Sequence, residues 1–180
     1  MSVKTANAEL SASAAELKQL FERVDTRLLL GIFLQLATGF AAIFAVDRVN
    51  FLLAHVFAEL FSVAVAWTVF FIVWNGRRYF ENGFFLLLGI AYLFIGIVDV
   101  THTIAYKGMN VFTWADTNLP TQLWIAGRYM EGSVFLAAPL LLSRKIRPSA
   151  TMVIVGSATT LLMTLIFTGY FPACYIEGVG

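Results

Sequence analysis

Five apolar stretches of about 20 residues follow one another along this chain, at residues 27–46, 51–74, 84–106, 121–142 and 150–170. About 20 residues is the length at which an α-helix crosses roughly 30 Å of hydrocarbon. Strands are a poor alternative. A membrane strand takes about 9–11 residues and alternates in polarity, and these stretches do not alternate. A helix also satisfies its own backbone polar groups, which lipid cannot do. The pattern predicts an all-α fold, a polytopic bundle of five membrane helices. Composition agrees: 59% of the 180 residues are apolar, against about 45–50% in a soluble domain. A net charge of +1 argues for no nucleic-acid partner. The lone Cys174 excludes an intrachain disulfide and a multi-cysteine metal site.

Orientation follows from the basic residues. Nine of the 12 Lys and Arg fall before or at the start of the first stretch or in the second and fourth connections: Lys4, Lys18, Arg23, Arg27, Arg77, Arg78, Arg144, Lys145 and Arg147. The opposite side holds Arg48 and Lys107. This split predicts a cytoplasmic N-terminus. Trp74, Tyr79, Tyr106, Trp114, Trp124 and Tyr170 lie near stretch ends, as an interfacial belt does. Five crossings then leave the tail after Tyr170 outside. A cytoplasmic output domain would require further crossings, so the chain is expected to be a fragment.

Residues 1–26 form a polar leader with no apolar signal region. Ser13 and Glu16 have capping-box spacing, and Leu10, Leu17, Leu20, Phe21 and Val24 fall near one helical face. Two readings stand open: a solvated lead-in, or an amphipathic interfacial helix that could also serve a homodimer contact. Residues 27–180 are expected to form one membrane-embedded domain.

Six ionisable side chains interrupt the apolar stretches: His55, Glu59, Asp99, His102, Arg128 and Glu131. A charge at the centre of a membrane helix costs about 2.5–3.5 kcal/mol on insertion scales. Counted at 1.5 Å per residue, all six lie in the outer half, about 6–15 Å below the outer ends of their helices. His55 and Glu59 stand at i, i+4; Asp99 and His102, like Arg128 and Glu131, stand at i, i+3. Each pair therefore shares a helix face. Ser62 extends the first stripe, Tyr92 and Tyr106 lie near the second, and Thr121 and Trp124 extend the third. Gly96, Gly127 and Gly132 are candidates for close helix approach. With every carboxylate ionised, the three acids and one arginine carry −2. Protonated carboxyls, protonated histidines or a bound cation would each relieve that excess.

The cluster admits several uses. A purely structural network would pair Arg128 with Glu59, Asp99 or Glu131 and fix helix register. A metal site would use His55, Glu59, Asp99 and His102, since imidazole with carboxylate suits zinc, iron or copper. A haem would use His55 and His102 as axial ligands. No catalytic triad or phosphate-cradling loop is evident, so the chain is not expected to be an enzyme. The loop at residues 107–120 carries Gly108, Asn110, Asp116, Asn118 and Pro120, and is either a cap over the cluster or a plain connector.

One long run carries a resemblance. From Asp99 the chain reads DVTHTIAYKGM, and from Asn118 it reads NLPTQLWIAGRYME. Upstream lie HVFAELFS from His55 and WNGRRYFEN from Trp74; downstream lies FPACYIEGVG from Phe171. Over these motifs the chain resembles the third class of bacterial membrane-associated sensor domains. The resemblance implies a sensory input module in the bacterial inner membrane, placed N-terminal to cytoplasmic histidine kinase or diguanylate cyclase domains, often through PAS domains. The reading from another class is a small transporter, or a haem or metal redox protein, built on the same polar cluster.

Overall fold

The computed structural model describes residues 26–114, 116–176 and 178. The Ser13–Glu16 capping box and the rest of the leader up to residue 25 lie outside the described residues. The described residues form helices and turns, with no strand among them. The chain divides into two compact units, at Met1–Asn50 and Phe51–Gly180.

In the first unit, α1 (Thr26–Val49) is one continuous helix with no buried residue. Its apolar side chains, Leu28, Phe33, Phe40 and Phe44 among them, stay exposed, as suits contact with lipid. Arg48 closes the helix with its guanidinium 4.7 Å from the Phe44 ring centroid, a cation held against an aromatic face.

The second unit contains α2 (Phe51–Gly76), α3 (Gly83–Ala105), α4 (Asn118–Ala137), a short 3-10 helix (Ala138–Leu141) and α5 (Pro148–Phe167). Consecutive helices run up and down, and α3 packs against α2, α4 and α5. Half of the most apolar stretch of α3 is buried (50%), against 22% for α2 and 11% for α5. This makes α3 the centre of the unit. The largest fully buried side chains are Ile90, Ile95 and Val98 of α3 and Leu123 of α4.

Lipid is as apolar as these side chains, so close packing and interhelical hydrogen bonds hold such helices together, rather than water exclusion. Small residues set the spacing of α2 and α3. A Cβ on Gly89 would lie 2.4 Å from Val73 Cβ, and one on Gly96 would lie 2.4 Å from Trp67 Nε1. The same Trp67 indole donates to Leu93 O at 3.3 Å. Gly96 and Gly127 thus lie at helix contacts. Gly132 does not: its Cβ position has nothing within 4 Å.

Among the described residues, four helices are long and apolar enough to cross a membrane: α1, α2, α3 and α5. The stretch expected at 121–142 is shared between α4 and the 3-10 helix. Asn118, Gln122, Arg128 and Glu131 make α4 more polar than its neighbours. Its first turn starts earlier than expected because Asp116 Oδ1 accepts from the amides of Asn118 and Leu119, at 3.0 and 3.3 Å, and so supplies partners for two otherwise orphan donors. Pro120 fits that turn because its missing N–H is not needed there. Pro139 does the opposite at the far end. Lacking an N–H, it cannot continue the α ladder, and the chain tightens to a 3-10 turn.

The two ends of the unit are tied differently. At one end the Gly83 amide donates to Arg144 O at 2.7 Å, joining two connections. At the other, α5 stops at Phe167, with Gly169 in the left-handed region (φ 79°). There the Tyr170 and Phe171 amides both return to Leu165 O, a glycine-dependent helix stop. From the connection after α3, Phe112 and Trp114 each pack against Phe167 at this end.

Candidate functional site

The six ionisable residues lie near one end of the second unit, where α2 and α4 begin and α3 ends. They fall into two groups. The first lies between α3 and α4. Asp99, 4% exposed, receives Arg128 Nη2 on both carboxylate oxygens, at 2.8 and 3.0 Å. Arg128 Nη1 donates to Glu131 Oε2 at 2.7 Å. The Tyr92 hydroxyl donates to Glu131 Oε1 at 2.9 Å. One guanidinium therefore bridges two carboxylates, and a phenol completes the second. The adjacent Gly127 makes room: a Cβ there would meet Asp99 Oδ1 at 3.2 Å.

The second group lies between α2 and α3. His102 is buried, and its Nδ1 is 2.8 Å from Pro120 O at the start of α4. A carbonyl only accepts, so Nδ1 carries a proton and donates. In the neutral ring Nε2 then presents a lone pair. Nε2 faces Glu59 Oε1 at 3.9 Å. His55 lies beside them, its ring meeting that of His102 edge to face at a centroid separation of 5.6 Å. His55 Nε2 is buried and has no hydrogen-bond partner. One ligand atom each from His55, Glu59 and His102 falls within 4.8 Å of the others. Phe51 and Tyr106 stack around His55, at 6.0 and 4.2 Å between centroids.

Of the expected four-residue metal set, His55, Glu59 and His102 come together. Asp99 instead lies in the Arg128 ion pair, on the side of α3 facing α4. The two histidines named as haem ligands, His55 and His102, lie beside each other with their ring centroids 5.6 Å apart. Among the flanking polar residues, Tyr92 and Tyr106 join the two groups. Ser62 is exposed, and Thr121 Oγ1 bonds only its own helix at Thr117 O.

Residue-type reasoning missed a further set. Asn118 Oδ1 accepts from the amides of Cys174 and Tyr175, at 2.8 and 2.9 Å. Gln122 Nε2 donates to the carbonyls of Phe171 and Pro172, at 3.0 and 2.8 Å. The start of α4 thus holds the chain that follows α5. The signal was present in the NLPTQ motif, but uncharged amides inside a run of letters carry no charge penalty to draw the eye.

This architecture defines a polytopic helical membrane protein with polar side chains gathered between its apolar helices. The sequence model of the MASE3 family, described as a membrane-associated sensor domain, matches residues 46–180. The chain belongs to that family, as the motif resemblance implied. No curated protein and no solved structure matches it.

Proposed function

We propose that the chain is the membrane-embedded input part of a bacterial signalling protein, and that the polar cluster on α2, α3 and α4 is its sensing element. Membership of a membrane-associated sensor family supports a sensory role. The observation that carries the rest is the contact between the buried Asp99 carboxylate and the part-exposed Arg128, which joins two helices of an apolar unit. Ionisable groups within membrane helices are costly, and they mark functional positions in membrane proteins by default. A stimulus that alters the cluster would shift helices by an ångström or two, enough to switch packed bundles. The stimulus must bind the two packings with different affinity, or no signal results.

In this reading residues 1–26 are a cytoplasmic leader, and residues 27–180 are embedded in the inner membrane with five crossings, α4 being the polar one. Partners are the lipid bilayer, cytoplasmic PAS, kinase or cyclase domains, and a second copy of the chain. The chain itself is not a catalyst.

Two measurements test this. Joined to a kinase or cyclase, the variants Asp99→Asn and Arg128→Gln are expected to change basal output several-fold at unchanged membrane levels. Unaltered output in both overturns the sensing role of the cluster. Alkaline phosphatase fused within residues 107–117 is expected to be active, and fused within 143–147 inactive. The reverse pattern overturns the orientation.

A further inference from the structure

The group between α2 and α3 has an unusual electrostatic arrangement. Three side chains converge, and with neutral imidazoles the atoms they turn to one another are acceptors or unpartnered. His102 donates its Nδ1–H to the Pro120 carbonyl, so in the neutral ring its Nε2 lone pair faces a carboxylate oxygen at 3.9 Å. His55 Nε2 is buried close by without a partner. A buried polar atom left unmatched costs about 1–3 kcal/mol, and acceptors facing each other in low dielectric repel. Such a constellation gains most from a cation.

We propose that His55, Glu59 and His102 bind a single divalent transition-metal ion of the zinc class. Two imidazoles and one carboxylate form a three-ligand set with an open position, known for zinc and for non-haem iron. Calcium and magnesium prefer all-oxygen shells, so the two histidines select against them. The Nδ1–H···O=C bond from His102 to Pro120 is the outer-sphere contact that orients a metal-ligating histidine and fixes its tautomer. Charge points the same way. With neutral imidazoles, Glu59, Asp99, Glu131 and Arg128 together carry −2, which one divalent ion cancels.

The site would also act mechanically. Tetrahedral ligands about 2.0–2.1 Å from zinc lie roughly 3.3 Å from one another. The 3.9 Å between His102 Nε2 and Glu59 Oε1 must therefore shorten, drawing the start of α2 towards the end of α3. His102 passes that movement to α4 through Pro120. This part of the inference rests on the sensor reading above; the binding site itself does not.

The test uses the 180-residue chain in detergent, stripped of metal and titrated with Zn²⁺, and with Co²⁺ as a coloured substitute. One ion per chain is expected, with visible Co²⁺ bands of nitrogen–oxygen coordination. Glu59→Gln and His55→Ala are each expected to weaken binding at least about ten-fold, while Asp99→Asn keeps the one-ion stoichiometry. Glu59→Gln preserves side-chain size, so lost binding with native elution and helicity is not misfolding. The proposal is overturned if wild type retains no more Zn²⁺ than the double variant His55→Ala/Glu59→Gln. It is equally overturned if Mg²⁺ or Ca²⁺ displaces Zn²⁺ at similar concentration. Binding without any effect of the cluster on output would retain the metal site and remove the sensor reading. Output changes without binding would do the converse.

Discussion

The two polar groups of the second unit contain similar residues and behave as opposites. Between α3 and α4, donors and acceptors match: a guanidinium and a phenol supply two carboxylates. Between α2 and α3, two imidazoles and a carboxylate meet, with His55 Nε2 buried and unpartnered and His102 Nε2 3.9 Å from Glu59 Oε1. A matched group holds two helices in one arrangement. An under-donated group leaves its helices a reason to move when a cation arrives. The difference lies in the arginine. Arg128 brings five donors in a fixed fork, whereas a neutral histidine brings one, and His102 spends it on Pro120.

If that contrast is right, the largest loss comes from Arg128→Ala, which leaves the buried Asp99 carboxylate unpaired. Breaking a buried pair costs about 3–5 kcal/mol. Arg128 is 40% exposed at its side chain, so we expect about 2–3 kcal/mol, read from reversible unfolding in mixed detergent. Adding Asp99→Asn is expected to restore most of it; no recovery would mean that Arg128 matters for packing rather than for charge.

Gly127→Ala is a subtler attack on the same group. Its new methyl would press on Asp99 Oδ1 from 3.2 Å, and overpacking costs about 1–3 kcal/mol. We expect the low end, about 1 kcal/mol, since a carboxylate can shift slightly. Gly132→Ala, facing open space, is the paired control and is expected to be neutral or mildly stabilising.

Tyr92→Phe removes one interhelical hydrogen bond, that to Glu131. Bonds of this kind average about 0.6 kcal/mol in membrane bundles, and a loss of that order is expected in the same unfolding assay. A loss above about 2 kcal/mol would show that the group is cooperative rather than pairwise.

The smallest effect carries the opposite sign. In metal-free protein, Glu59→Gln gives the second group an amide donor opposite the His102 lone pair. A gain of up to about 0.6 kcal/mol is expected. A clear destabilisation would show that Glu59 and His102 already form a charged pair, and the contrast between the two groups would collapse.

Much of this was legible beforehand, because hydrocarbon thickness leaves little freedom. Runs of about 20 apolar residues can only be helices in a bilayer, and the observed helices begin and end within a few residues of the expected ones. The exceptions follow local chemistry: Asp116 starts α4 early, and Pro139 and Gly169 end helices early. The six polar positions were also legible, because charges inside such runs are conspicuous.

The partition into two groups was not legible. Spacing of i, i+3 places Asp99 and His102 about 60° apart around α3. That separation is small enough to look like one stripe and large enough to address two neighbours. Which of them faces α2 and which faces α4 depends on the rotation of α3 within the unit. That rotation is set by Gly89 and Gly96 receiving Val73 and Trp67, a contact between residues distant along the chain. The amino-acid order by itself thus determined that the chain is a set of membrane-length helices with costly polar residues on three of them. Only the tertiary structure decided that Arg128 bridges Asp99 and Glu131 and leaves the histidines and Glu59 facing one another without it, because donors and acceptors are matched across helices and not along them.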